Sequence, residues 1–246
     1  SWAIFTHNIW HLDERLDLTL GLRYTDEEKD LDASLTANNP ACPAALSRIG
    51  LWGGSLTAAQ RSALLAPVCL PLINPLFDGA YSGGQHDDEE WTGIASLSYD
   101  LTKSWLTWIS YSRGYKAGGF NLDRGGFSLP PTIASLEFEE EVVDSYEIGA
   151  KGYLLDDSLQ VSATYFFSKF DDFQLNTFTG TNFIVSNLEE VESRGIEIET
   201  TWKPLDQLVV QSGVTYTDAR YDDDLAAPNT ALSDRRITNA PHWIVT

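Results

Sequence analysis

Leu16-Asp17-Leu18-Thr19-Leu20-Gly21-Leu22-Arg23-Tyr24 is the stretch that decides the fold: every even position is apolar or aromatic, and Asp17, Thr19, Gly21 and Arg23 fall between them. Successive side chains of an extended chain leave on opposite faces, so this alternation predicts a strand with one greasy and one wet face. The split recurs along the chain. Leu159, Val161, Ala163, Tyr165 and Phe167 oppose Gln160, Ser162, Thr164 and Ser168, with Phe166 the exception. Ile196, Ile198 and Trp202 oppose Glu197, Glu199 and Thr201, and Tyr146, Ile148, Ala150 and Leu154 oppose Ser145, Glu147, Gly149 and Lys151.

Extended outward, the pattern predicts strands at 2–11, 15–25, 90–100, 104–116, 142–154, 158–170, 191–203 and 207–219. Pro241-His242-Trp243-Ile244 reads as the opening of a ninth. Their length suits the roughly 9–11 residues that cross a bilayer at a tilt, not the roughly 5–6 of soluble strands. The connections alternate. Tight turns are expected at 12–14, 101–103, 155–157 and 204–206, and long segments at 26–89, 117–141, 171–190 and 220–240. All tight turns thus fall at one end of an up-and-down sheet, the asymmetry of outer-membrane barrels with short periplasmic turns and long extracellular loops. Trp2, Trp10, Tyr24, Trp91, Tyr99, Trp105, Tyr111, Tyr153, Trp202 and Tyr216 gather near strand ends, as interfacial girdles do, although aromatics favour strands in general. The expected fold class is all-β: a partial antiparallel transmembrane β-barrel of about eight strands.

Composition narrows the function classes. The 246 residues are 43% hydrophobic and 21% charged, ordinary globular values. The most apolar run, 64–72, is broken by Pro67 and Pro71, so no transmembrane helix is expected. A net charge of −20 argues against nucleic acid as a partner. The acid collects at 26–28, 87–90, 139–141 and 222–224, which read as solvated loop ends, with bridging through divalent ions to anionic headgroups as a second use. They lack EF-hand spacing. The chain has no Met and opens Ser1-Trp2-Ala3 without a basic segment, so a targeting segment is expected to have been removed or the beginning to be missing.

The segment 26–89 is expected to be one long extracellular loop. Cys42 and Cys69 both lie in its Pro- and Gly-rich part, which suits a single disulfide formed in an oxidising compartment; a free pair is the alternative. Thr57-Ala58-Ala59-Gln60 opens a run of helix formers with a capping box, predicting a short surface helix up to Leu65. Segments 173–178 and 182–186 read as a small hairpin on the rim. G-x-S-x-G, H-E-x-x-H and P-loop motifs are absent from the sequence, and His7, His11, His86 and His242 are scattered, so neither an enzyme nor a metal centre is expected. His7 and His11, four residues apart on a strand, would stand about 13 Å apart, too far to share an ion.

Tyr111-Ser112-Arg113-Gly114-Tyr115-Lys116-Ala117-Gly118-Gly119-Phe120-Asn121 is the most distinctive string, a strand running out into a glycine-rich, cationic and aromatic exit. With Tyr146-Glu147-Ile148-Gly149-Ala150-Lys151, Thr181-Asn182-Phe183-Ile184-Val185-Ser186-Asn187, Glu192-Ser193-Arg194-Gly195-Ile196-Glu197 and Gly21-Leu22-Arg23-Tyr24-Thr25, it resembles the TonB-dependent receptors. Within them it is most similar to the ferric-siderophore type, such as the pesticin and yersiniabactin receptor group.

The resemblance implies a 22-stranded barrel of the Gram-negative outer membrane of which this chain supplies a middle portion, without the plug domain and without the box that engages the energising partner. It implies active import of a scarce ligand such as a ferric chelate, with no cofactor. The implied partners are outer-membrane lipid and lipopolysaccharide, the chelate, and a TonB-type protein acting through an N-terminal segment not in this stretch. Trp52, Arg113, Tyr115, Lys116, Phe120 and Arg124 are the expected ligand contacts, since cations suit an anionic chelate and aromatic rings a catecholate or thiazoline. A passive porin-type channel is the alternative reading.

Overall fold

The computed structural model describes residues 1–52, 56–70, 77–123, 132–178, 182–225 and 229–246. Strands β1 (Trp2–Asp13) and β2 (Leu16–Leu35) lead to helices α1 (Ala41–Trp52) and α2 (Ala58–Leu65). Strands β3 (Gly79–Thr102) and β4 (Trp105–Lys116) follow, then two-residue strands β5 (Gly119–Phe120) and β6 (Glu137–Phe138). Strands β7 (Glu141–Leu154), β8 (Leu159–Phe178), β9 (Phe183–Leu205), β10 (Leu208–Tyr221) and β11 (Trp243–Val245) complete the chain. Among the described residues the main sheet has nine strands in the order β1-β2-β3-β4-β7-β8-β9-β10-β11, an antiparallel meander open at both edges, with β5 and β6 paired beside it.

The register assigns the faces. Tyr24 stands opposite Trp91, Ala95 opposite Tyr111, Ile109 opposite Ile148, and Tyr165 opposite Ile196, so the apolar residues of neighbouring strands share one side. Among the described residues nothing covers that side: Ile109 and Ile148 remain 56% and 57% exposed. A sheet that leaves its greasy face bare needs lipid against it. Rings line the upper edge of this face. Centroids are 5.4 Å apart for Trp2 and Tyr24, 5.0 Å for Tyr24 and Trp91, 5.1 Å for Tyr111 and Tyr146, and 5.0 Å for Tyr216 and Trp243. Trp10, Tyr99, Trp105 and Trp202 edge the tight-turn end, whereas Tyr153 falls on the other face by register. Eight residues of tilted strand separate Trp91 from Tyr99, roughly 20 Å, close to the roughly 25 Å apolar band of such barrels.

Just above the upper girdle the register lines up a charge ladder: Arg113 opposite Asp144, Asp144 opposite Lys169, Lys169 opposite Glu192, and Glu192 opposite Arg220. Opposite charges facing across strands are mutually stabilising.

The four turns expected to be tight are tight. At 155–157 three successive residues take left-handed backbone, with φ of 55°, 54° and 64°, closed by Ser158 N–H donating to Leu155 O at 3.2 Å. The long connections are more regular than alternation suggested. Residues 26–35 and 79–89 are paired strand, which leaves 36–78 as the tip of the 26–89 segment. The acids Asp26, Glu27 and Glu28 face Glu89, Asp88 and Asp87, and their like charges masked this continuation in the sequence; a β-bulge at Gly83, with φ of 82°, adjusts its register. Segments 173–178 and 183–186 likewise do not form a separate hairpin but extend β8 and β9 in unbroken register from Leu159–Trp202 to Phe178–Phe183.

In the 36–78 tip, Cys42 and Cys69 are bonded with their Cα atoms 4.9 Å apart. Helix α2 starts on the capping box, Gln60 N–H donating to Thr57 Oγ1 at 3.2 Å and Thr57 N–H to Gln60 Oε1 at 2.9 Å. Helix α1 was not expected. Its entry is held by Asn39, whose Oδ1 accepts from Ala41 N–H and whose Nδ2 donates to Val68 O.

Burial concentrates at the long-loop end. Leu31, Phe77 and Leu136 form one cluster with Phe120 and Ile133 against it; Leu188, Val191, Tyr221 and Leu225 form another. These clusters fix the mouth of the sheet.

Candidate functional site

The Tyr111–Asn121 string builds the mouth. β4 stays paired with β7 to the end, Lys116 opposite Glu141, but its last partner on β3 is Gly93, opposite Arg113. The chain then turns across the top of β2 and β3, and each step is anchored by a side chain that would otherwise be unsatisfied when buried. Gln174 on β8 donates to the carbonyls of Ala117 and Glu139 at 3.0 Å each and Lys116 at 3.3 Å, while its N–H donates to Glu141 Oε2 at 2.7 Å. Lys29 Nζ donates to Gly118 O at 2.6 Å, and Gly118 N–H to Asp88 Oδ1 at 3.2 Å. Position 118 must be glycine, because a Cβ there would lie 2.2 Å from His86 Nε2 and 2.6 Å from Phe138 O. Asn121 donates to Val185 O at 2.8 Å and Leu136 O at 3.2 Å, and accepts from Val185 N–H at 2.7 Å.

Beneath Gly118 lies a buried polar cluster. His86 Nε2 is 3.0 Å from Asp88 Oδ1, and its Nδ1 is 2.8 Å from Glu137 Oε1. Lys29 reaches Asp88 Oδ2 at 3.3 Å and Glu27 Oε1 at 3.1 Å. Burial alone would lower the His86 pKa, but the carboxylates on both ring nitrogens outweigh it and hold the ring above its ordinary value. With carboxylates on both sides the ring clasps the 117–141 segment to β3.

The structure separates the six expected contact residues. Arg113 shares the apolar outward face with Tyr111, and both hold Asp144, at 2.8 and 2.6 Å. Tyr115 lies beside the Thr25 side chain on β2. Phe120 is half-buried in the Leu31, Phe77 and Leu136 cluster, its ring 6.2 Å from that of His86. Lys116 is exposed and falls by alternation on the polar inner face. Trp52 ends α1, and Arg124 lies outside the described residues. Sequence reasoning missed Lys29, His86, Asp88, Asn121 and Gln174. Only Asn121 belonged to a recognised string; Lys29, His86 and Asp88 come from the segment taken for a long loop, and Gln174 from the one taken for a small rim hairpin.

A family model described as TonB dependent receptor-like, beta-barrel, matches residues 1–246. The pesticin receptor of Yersinia pestis is 24% identical over 202 residues, which cover 82% of this chain and 23% of that protein. The chain therefore spans about a quarter of the length of the curated relatives it matches. Among solved structures, the ferric yersiniabactin uptake receptor of Yersinia pestis superposes with a TM-score of 0.67 at 19% identity, covering 99% of this chain and 30% of that one. The siderophore receptor PiuA of Acinetobacter baumannii gives 0.61 at 16% identity, covering 99% and 30%. At these identities the superpositions speak for the fold.

Proposed function

Because this chain belongs to the TonB-dependent receptor-like β-barrel family of the Gram-negative outer membrane, whose members are receptors and transporters and not enzymes, we propose that it forms wall and mouth of a receptor that binds a scarce ferric chelate and imports it actively. The observation that carries this reading is the mouth itself: the 117–141 segment is pinned by Gln174, Asp88, Lys29 and Asn121 across the long-loop end, with Lys116 presented on the inner face. A preorganised rim with an exposed cation suits capture of an anionic complex, which an open diffusion pore does not need. Lys116 would meet such a ligand directly, with Tyr115 next to it in the chain. Trp52 and Arg124 would add to them from the tip and the loop, while Arg113 and Phe120 support the rim.

The other partners follow from position. Outer-membrane lipid covers the apolar face, and lipopolysaccharide headgroups meet the Arg113, Asp144, Lys169, Glu192 and Arg220 ladder. A TonB-type partner would act through parts of the relatives that this chain does not span. The test is uptake of an iron-loaded, radiolabelled siderophore by cells carrying the full-length protein, before and after a protonophore collapses the proton gradient. Import that stops with the gradient supports the receptor. Import that continues at a rate linear in concentration is the behaviour of a passive porin-type channel and sinks it.

A further inference from the structure

The cluster under Gly118 contains one group the mouth does not use. One ligand atom from each of His86, Asp88 and Glu140 lies within 4.8 Å of the other two. Among the described residues Glu140 makes no hydrogen bond or ion pair. Glu27, Asp88, Glu137 and Glu140 thus share a space in which Lys29 is the cation in contact, with His86 the second when protonated. The site is short of positive charge.

The His86–Asp88 distance suits a pair of metal ligands. Two atoms each roughly 2.0–2.2 Å from a zinc ion lie about 3.0–3.5 Å from one another, and His86 Nε2 is 3.0 Å from Asp88 Oδ1. Glu137 sits on the far ring nitrogen at 2.8 Å, where a metal-bound histidine keeps an orienting carboxylate. Gly118 N–H orients Asp88 in turn. One imidazole with two carboxylates is a mixed nitrogen and oxygen set, suited to zinc-class transition ions more than to calcium, which takes oxygen ligands.

We propose that His86, Asp88 and Glu140 bind one divalent transition-metal ion of the zinc class, a structural site separate from the imported ligand. The ion replaces the proton on His86 Nε2, which passes to solvent, while Nδ1–H stays on Glu137. Since Glu140 precedes β7 and His86 and Asp88 lie on β3, the ion ties the end of the 117–141 segment to the β2–β3 ribbon.

The test is calorimetric titration of zinc chloride into chelator-stripped full-length protein in detergent, with no iron chelate present, in two buffers of different ionisation enthalpy. One ion per chain is expected, with an enthalpy that differs between the buffers because a proton is released. His86→Ala and Glu140→Gln are expected to weaken binding by more than the roughly 10- to 100-fold that loss of an outer-shell partner costs, and Glu137→Gln by an amount within that range. His86→Ala also removes the clasp to Glu137, so Glu140→Gln decides, because that side chain supports nothing else. Equal zinc affinity in the wild type and Glu140→Gln overturns the proposal, whether the shared binding is tight or weak.

Discussion

A methyl group at position 118 would meet His86 Nε2 at 2.2 Å and the Phe138 carbonyl at 2.6 Å, the second of which is backbone and cannot swing aside. Gly118→Ala should therefore cost about 1–3 kcal/mol, the usual toll of overpacking, and show as faster amide exchange in 117–123 and 132–141 with the transmembrane strands unchanged. Asn121→Ala leaves the Val185 N–H and carbonyl without their partner in a partly buried place, while Leu136 O keeps the backbone N–H of residue 121, a loss of about 1–3 kcal/mol that should appear at Val185 as well as in the loop. Uniform exchange across the chain would refute both. Asp172 carries left-handed backbone at φ 52°, and burial with the Glu140 and Asp171 charges pushes its carboxyl above the usual range. A carboxyl raised in the native state costs stability while ionised, and the cost fades as pH falls below its native pKa. Asp172→Asn keeps the left-handed preference and removes the charge, so it should stabilise the metal-free protein slightly at pH 7, solvent screening most of the effect at this exposed side chain, and lose that advantage in acid. An unchanged difference across a denaturation series in pH would break the argument.

At the scale of elements, alternation located every transmembrane strand because one of its faces must be apolar. It stopped at the girdle because above it both faces are polar. Residues 26–35 are strand by pairing with 79–89, not by side-chain pattern, and three like-charged pairs across that ribbon look like a loop in one dimension. The capping box announced α2 because its signal lies within four residues; α1 takes its support from Val68, nearly thirty residues away. The Cys42–Cys69 bond spans 27 residues at the tip, a loop whose closure stabilises by about 3.5 kcal/mol in the chain-entropy account. Reduction, or Cys42→Ala with Cys69→Ala, should open α1 and α2 to protease while the sheet keeps its heat-resistant compactness on gels. Loss of sheet compactness would mean that the tip holds the wall, which its position does not suggest.

The whole molecule is a sheet whose inside and outside are defined by register, and the sequence carried that distinction almost completely. What it could not carry was the mouth, because Asp88, Gln174 and Asn121 reach partners 30, 57 and 64 residues away, separations that no local pattern records. The face assignment also makes the strongest demand on the fold. Ile109 and Ser110 are neighbours on β4, yet Ile109 stands opposite Leu97 and Ile148 on the bare apolar face, and Ser110 stands opposite Ser96 and Glu147 on the polar one. An arginine at 109 must enter lipid, at a cost of up to about 2–4 kcal/mol near the midplane. At 110 the same arginine meets water and the Glu147 carboxylate, and the cost should be near zero. Refolding the full-length barrel from urea into lipid vesicles, scored by heat-modifiable gel mobility, compares the two directly. Ile109→Arg should fold at lower urea and in lower yield, while Ser110→Arg follows the wild type. If the two variants exchange behaviour, the apolar face looks inward and this chain is not the wall of a membrane barrel.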